Sequence, residues 1–372
     1  MDRREICVST TQFTLLSTSH VMCMHDLAIT LSNTRQGMTA TRTVVHLALA
    51  LVSVSATAQP SKKTVISAMP IEVPGWAFPT TSPPYQAATT PFDSLTALRV
   101  PASSRSFTLA QVTNVNAPPD WSPETHPRMP ASVARGRTGS VWACGYCHLP
   151  DGQGRSENST LAGLPAEYII RQVADLRSRA RRGAVDTWSP TSHMLDVADS
   201  ATSREVAEAA RYFARIKVKP RFQVAERTEI PLTYQVGGLY AVAPGGNKEA
   251  LGHRIIEITD DLERHELRDA TTTFTAFVPI GSIEAGRRIA TAIGKKPVAA
   301  CITCHGATLR GVGVIPPIAG RSPSYLFRQL LAFRNGARAG ATSAPMQDVA
   351  STLSLNDMIA VAAYAGSLRP SR

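Results

Sequence analysis

The chain has 372 residues, with 39 Lys+Arg against 28 Asp+Glu, a formal net charge of +11 and 43% hydrophobic residues. That apolar fraction suffices for packed cores and excludes wholesale disorder, and the length suits two modest domains with connecting segments. Outside the N-terminal region no apolar run approaches the roughly 18 residues of a spanning helix, which excludes a polytopic membrane protein.

Residues 1–37 carry Cys7 and Cys23 at no ligand-like spacing and read as a gene-model extension, with translation expected from Met38. Residues 38–58 read as a cleavable signal peptide. Arg42 gives a short positive region, Val44 to Val54 an apolar stretch too short to span a bilayer, and Ala56-Thr57-Ala58 a small-x-small cleavage site. Cleavage there removes Arg3, Arg4, Arg35 and Arg42 against Asp2, Glu5 and Asp26, leaving a net +10. The expected location is therefore periplasmic. Residues 59–120, rich in Pro, Ser and Thr with weak periodicity, read as an extended arm.

A first segment, 121–220, contains Cys144-Gly145-Tyr146-Cys147-His148. A short apolar helix is expected before it, near 132–142. Tyr168, Ile169, Val173 and Leu176 then space apolar side chains three and four apart, which predicts a helix over 164–178. Thr202-x-x-Glu205 opens a last, Ala-rich helix as a capping signal. Residues 221–280 change texture: the β-branched stretches Leu232–Val236, Arg254–Ile258 and Thr272–Val278, punctuated by Pro244-Gly245-Gly246, predict a small β-rich insert. A second segment, 281–372, repeats the first, with a helix expected near 282–293, Cys301-Ile302-Thr303-Cys304-His305, a helix over 321–335 and a capped helix from Ser354-x-x-Asp357.

The repetition is more than the motif. At an offset of 157, Leu161-Ala162-Gly163 matches Ile318-Ala319-Gly320, Tyr168 matches Tyr325, Arg171-Gln172 matches Arg328-Gln329 and Arg181 matches Arg338. The register then slips by five, and Met194 to Ala198 matches Met346 to Ala350. One gap aligns two segments of about 70 residues, as a tandem duplication would.

Two thiols three positions apart at a helix start can add to the two vinyl groups of one haem, and the adjacent His then ligates the iron. The chain is thus expected to bind two haem c groups covalently, through Cys144 and Cys147 and through Cys301 and Cys304, with His148 and His305 as proximal iron ligands. The competing readings are a zinc site, whose Cys pairs normally sit 15–20 residues apart in one module, and a redox dithiol, which needs neither His. Met194 and Met346 occupy equivalent places just before a capped helix and are the expected sixth ligands, although Met is more often core filler. His193, beside Met194, is a competing imidazole. Met129 and Met358 match nothing across the repeat and are assigned to core or surface. His126, His253 and His265 are placed outside the haem pockets, at the surface. Pro316-Pro317, before Ile318-Ala319-Gly320, is placed to accept a hydrogen bond from the His305 ring, with Ser159-Thr160 its counterpart. The tyrosines 168 and 325 and the arginines 171, 328, 181 and 338 are candidates for the haem propionates.

Cys-x-x-Cys-His, Pro-x-Ile-Ala-Gly, Tyr-Leu-x-x-Gln-Leu-x-x-Phe-x-x-Gly-x-Arg, Pro-Met and a terminal Ala-Ala-Tyr stand at 301–305, 316–320, 325–338, 345–346 and 362–364. Together they resemble the class I cytochromes c of the c553/c4 group. The first segment follows the pattern less closely, with Ser192-His193-Met194 for Pro-Met and Ser178-Arg179 for Asn-Gly. The resemblance covers 130–216 and 282–368. It implies a mainly α fold of two tandem all-α haem domains with His/Met iron, here joined by the β-rich insert.

The leading function is a dihaem electron carrier that passes single electrons between redox partner proteins, a dehydrogenase as donor and a terminal oxidase or other acceptor. The insert and arm would serve as docking elements if it were a dehydrogenase subunit. Its positive charge, partly offset by propionates, favours acidic partner surfaces and allows peripheral association with anionic membrane. No motif points to nucleic acid. The alternative is a dihaem enzyme, of peroxidase or thiosulfate-oxidising type, with one catalytic haem in the first segment.

Overall fold

The computed structural model describes residues 71–80, 95–101, 103–292 and 300–370. The 1–37 extension, the 38–58 leader and much of the arm lie outside the described residues. The first segment supplies α1 (Cys144–His148), α2 (Ala166–Arg177), α3 (Ser189–Ser200) and α4 (Ser203–Ala214). Apolar positions three and four apart let α2 and α4 bury Ile169, Ala209, Tyr212 and Phe213 in a shared core. Thr202 and Glu205 form the reciprocal capping box that starts α4.

The helix expected near 132–142 is a single turn, Ala131–Ala134. Gly136, at φ 60°, ends it, and Arg137 N–H donates to Val141 O at 2.8 Å to close a tight loop. A side chain at Gly136 would collide with that same backbone, so the turn requires glycine.

Residues 222–278 form a five-stranded mixed sheet from β1 (Phe222–Glu226), β2 (Thr233–Val236), β3 (Leu239–Val242), β4 (Ile256–Thr259) and β5 (Phe274–Val278), in the order β1-β5-β4-β3-β2. β2 and β3 are joined by Gly237-Gly238, both at positive φ, the two-residue turn whose twist matches a hairpin. Central β4 is buried along its whole length. Its Glu257 points at the start of a second-segment helix, where Ser322 Oγ donates to it at 2.8 Å and Ser324 N–H at 3.3 Å.

The second segment contributes α5 (Ser282–Thr291), α6 (Cys301–His305), α7 (Pro323–Arg334), α8 (Ala344–Ser351) and α9 (Leu355–Ser367). Its core is continuous with the sheet and with the arm: Phe78, Trp188, Ile255, Val278, Phe327 and Met358 belong to one buried cluster. The arm enters between the parts. Ile71 exchanges two hydrogen bonds with the Asn335 amide, Tyr240 Oη donates to Trp76 O at 3.0 Å, and Trp188 Nε1 donates to Pro79 O at 2.8 Å.

α5 and α9 cross at Gly286, where a methyl group would overlap the Ala360 carbonyl and the Tyr364 side chain. Because both obstacles are helix backbone or stem, the crossing cannot relax cheaply. Gly286→Ala should therefore cost about 2–3 kcal/mol by overpacking, read as a lower urea midpoint at unchanged slope. A loss below about 0.5 kcal/mol would show that the helices can slide apart.

Candidate functional site

Each Cys-x-x-Cys-His stretch is one helical turn, and both turns end on a positive-φ residue. Gly306 (φ 79°, ψ 158°) follows His305 at no steric cost, whereas Leu149 (φ 63°, ψ 154°) follows His148 in a conformation nearly reserved for glycine. Leu149 is fully buried, so packing holds the strained backbone in place.

The chain reverses so that its carbonyls meet the imidazoles at the same separation twice. His148 Nδ1–H donates to Ser159 O at 2.8 Å, and His305 Nδ1–H donates to Pro316 O at 2.8 Å. This fixes each tautomer and leaves Nε2 as the free donor atom for a metal. Burial pulls both imidazole pKa values down against these hydrogen bonds, which keeps the rings neutral and ligand-competent.

Burial pushes the Cys144 thiol up to about 12 and raises Cys147 and Cys301, opposite to the depressed pKa of a reactive dithiol. Among the described residues no three His, Cys, Asp or Glu side chains converge as a zinc site requires. Of the three sequence readings of the motif, covalent haem fits the surroundings best.

Two cavities receive these groups. The second, about 920 Å³, is lined by Cys301, Cys304, His305 and Met346 and lies within the 300–1,000 Å³ usual for cofactor pockets. The first, about 180 Å³, is lined by Cys144, Cys147, His148, His193 and Met194. The five extra residues between Arg181 and Met194 explain the difference, because they carry Trp188 into the first cavity beside Phe78 of the arm. Met346 is the third residue of α8, directly after Pro345; Met194 is the sixth of α3, four after Pro190. That additional turn brings Thr191 and His193 onto the wall as well. His193 lies 4.9 Å from the Trp142 ring, within reach of the Ser189 hydroxyl.

Asn158, Ser159, Tyr325 and Gln329 line both cavities and so form a common wall. Behind it the two segments interlock with near two-fold symmetry. Arg181 donates to Tyr325 Oη at 3.3 Å and to Gln329 Oε1 at 3.1 Å; Arg338 donates to Tyr168 Oη at 2.7 Å and to Gln172 Oε1 at 2.6 Å. Arg181 and Arg338 also pair as a short antiparallel bridge, with Arg182 N–H on Ala337 O and Ala339 N–H on Ala180 O, both at 2.6 Å. The Nε atoms of Arg321 and Arg338 are buried without a hydrogen-bond partner, and both residues line the second cavity. A buried Nε–H without an acceptor on each of these guanidinium groups suits an anionic ligand edge such as a propionate.

Sequence reasoning missed Arg321, whose counterpart at the repeat offset is Leu164, and it missed Trp188 and Phe78. It also misplaced His265. That residue lies outside both cavities as expected but is only 1% exposed, held beneath the sheet with Nε2 3.5 Å from the Glu157 carboxylate. An Asp261-capped turn, Leu262–Glu266, packs it against Phe274. His126, also expected at the surface, has its side chain only 3% exposed and bonded to Asp120 and Tyr212, whereas His253 is exposed as expected. Met358 is fully buried core.

No family model matches the chain. Among characterised proteins, cytochrome c-554(548) of Halomonas halodenitrificans is 36% identical over 77 residues, covering 93% of its length and 20% of this chain. Cytochrome c4 of Azotobacter vinelandii is 23% identical over 239 residues, covering 88% of its length and 63% of this chain. A thiosulfate dehydrogenase electron acceptor of Stutzerimonas stutzeri is 26% identical over 232 residues, covering 80% of its length and 62% of this chain.

Glu157 lines the first cavity with its side chain only 3% exposed. Burial alone would raise its pKa; Arg155 at 2.6 Å and the His265 ring outweigh that and hold the carboxyl well below the usual range. A depressed folded pKa stabilises the fold above the unfolded value of 4.5, and the gain is lost as pH falls through the folded value. Glu157→Gln, which strands the Arg155 charge, should cost about 3 kcal/mol at neutral pH by urea denaturation, with the gap narrowing in acid. An equal gap at neutral and acid pH would contradict the ion-pair account.

Proposed function

The chain belongs to the class I cytochromes c, and from that premise we propose that it is a periplasmic dihaem electron carrier. The observation that carries the proposal is the repeated donor set. Two Cys-x-x-Cys-His turns, each with its imidazole held by a carbonyl eleven residues on, open into cavities that share a wall. Haem c, when bound, supplies a one-electron iron couple.

This chain's own residues would do the rest. Cys144, Cys147, Cys301 and Cys304 would provide the thioether links, His148 and His305 the proximal nitrogens, and Met194 and Met346 the distal sulfurs. Arg181, Arg338 and Arg321 would meet the propionates and neutralise charge that burial makes costly. The crossed Arg–Tyr and Arg–Gln bonds hold the two segments in fixed relation, so an electron on one side would cross a short, rigid boundary. The apolar lining from Leu309, Leu326 and Phe333 would shield a group held in the second cavity from water and would favour its less charged, reduced state.

Export rests on the 38–58 leader. The relative named as an acceptor for thiosulfate dehydrogenase supports a dehydrogenase as electron donor here, with an oxidase or another carrier downstream. No described helix is long and apolar enough to cross a membrane. The enzyme reading keeps one specific observation in its favour, the exposed His193 beside Met194 on the first cavity.

Intact-mass measurement of the exported protein should give a chain starting at Gln59 with two covalent haems. Cys144→Ala/Cys147→Ala and Cys301→Ala/Cys304→Ala should each retain one, and a reductive titration of the parent should take up two electrons per chain. A single haem in the parent protein, or one-electron uptake, would contradict the dihaem reading.

A further inference from the structure

Four carboxylates are buried among the described residues, and three of them have a cation at hand: Glu157 pairs with Arg155, Asp151 with Lys219 and Asp269 with Arg264. The fourth, Glu257 on central strand β4, is only 2% exposed and makes no ion pair among the described residues. Its partners are neutral. The Ser322 hydroxyl lies 2.9 and 2.8 Å from its two oxygens, the Ser324 N–H donates at 3.3 Å, and the Ser156 hydroxyl donates as well. Such hydroxyls can donate to a carboxylate or turn to accept from a carboxylic acid, so the same site can hold either form.

The titratable groups around Glu257 are Arg328 and Tyr325 from α7, Glu157 from the first motif loop and Tyr240 from β3. Arg328 bears on it by charge alone, because Nη1 donates to Ala77 O at 3.2 Å and Nη2 to Ser156 O at 2.8 Å, and Glu157, Tyr325 and Tyr240 share that same positive charge. Burial therefore prevails and lifts the Glu257 carboxyl above the usual value, against the hydroxyls, the Arg328 charge and the Ser324 N–H. The position matters as much as the environment. Ser322 lines the second cavity, and its hydroxyl also accepts from the N–H of Tyr325 in the common wall. Arg328 lines the first cavity. The carboxyl thus stands one residue from each cavity, with a neutral hydroxyl toward the second and a guanidinium toward the first.

Deepening the carrier reading, on which this rests, we propose that Glu257 is a redox-linked proton site, which takes a proton from water when the second site gains an electron and returns it when the electron leaves. One electron from the donor protein and one proton from water enter together, so the added negative charge is neutralised inside the protein. The Ser322 hydroxyl, on the cavity wall, is the route for the proton. A proton bound more tightly in the reduced state raises the reduction potential, by reciprocity, and the potential then falls as pH rises and the proton is lost. The first site, screened by Arg328, responds less.

The test is an NMR redox titration of the holoprotein between pH 5 and 8, with each haem followed by its own methyl signals and assigned by contacts to Phe213, on the first cavity, or Phe333, on the second. In the wild type the second haem's potential should fall with rising pH, by about 59 mV in all if reduction tightens the proton tenfold. The first haem's potential should fall less than half as far. Glu257→Gln, which mimics the protonated acid, should remove that dependence and hold the second potential at the wild type's acid value throughout. Glu249→Gln, an equal charge change beside Arg254 elsewhere in the insert, should leave it intact. A slope that survives Glu257→Gln would give the proton to another group, such as a propionate, and overturn the proposal. So would equal flattening by Glu249→Gln, a slope shared equally by both haems, or no slope in the wild type. If Glu257→Gln does not fold, two further measurements decide. Infrared difference spectra of the wild type should gain a protonated-carboxyl band on reduction, and Ser322→Ala, which removes a hydroxyl that favours the carboxylate, should move the slope to higher pH; a missing band or an unmoved slope would contradict the proposal. Reduction by dithionite separates this from the carrier reading. Uptake of fewer than two electrons per chain by the wild type would sink that reading, whereas two-electron uptake without a pH slope sinks only this one.

Discussion

An imidazole that ligates a metal has to be neutral, dry and oriented; burial supplies the first two in this molecule, and the third traces to one hydrogen bond made twice. The ring Nδ1–H of each motif histidine donates to a carbonyl eleven residues further on. To bring that carbonyl back, the loop needs a positive-φ residue directly after the histidine and a glycine at 154 or 311. The second segment meets the demand with Gly306 and stiffens the acceptor with Pro316-Pro317. In the first, Leu149 accepts an unfavourable conformation, about 1–3 kcal/mol in cost, and the core that buries it supplies the offset.

From that fixed point the rest of the architecture follows outward. The cavities lie on either side of Asn158, Ser159, Tyr325 and Gln329, residues whose positions are set by the same loops and by α7. Arg181 and Arg338 then tie each segment to the other's tyrosine and glutamine, so the relation between cavities rests on buried charge-assisted bonds and a two-residue strand bridge. Symmetry is broken by the five extra residues that carry Trp188 and by the sheet. The sheet caps α7 through Glu257 and Ser322, with Pro165 standing at the equivalent place before α2.

Much of this was legible in the sequence, for physical reasons that differ from residue to residue. The motif helices, α2, α7 and the capping boxes of α4 and α9 are local patterns, and local patterns announce themselves. The acceptor could be narrowed to Pro316-Pro317 because that pair stands just before the Ile318-Ala319-Gly320 turn, and the structure selects Pro316. Arg321 could not, since comparing the repeats sets it against Leu164, and its partners Thr160 and Ala162 lie in the other segment. Trp188 sits in the five-residue slip, where alignment offers no guide. His265 looked like a surface histidine because nothing near it in the chain says that a sheet will fold over Glu157. Each miss is a contact between distant parts of the chain, made by residues without periodicity.

The proposed carrier role requires two irons, each closed on both sides by protein ligands. Visible and EPR spectra of the purified holoprotein in both redox states, repeated under carbon monoxide and cyanide, test it most directly. Two low-spin haems with His/Met signatures that resist carbon monoxide are the predicted result. A high-spin haem, or ready carbon monoxide binding at one iron, would contradict it and point first to Met194.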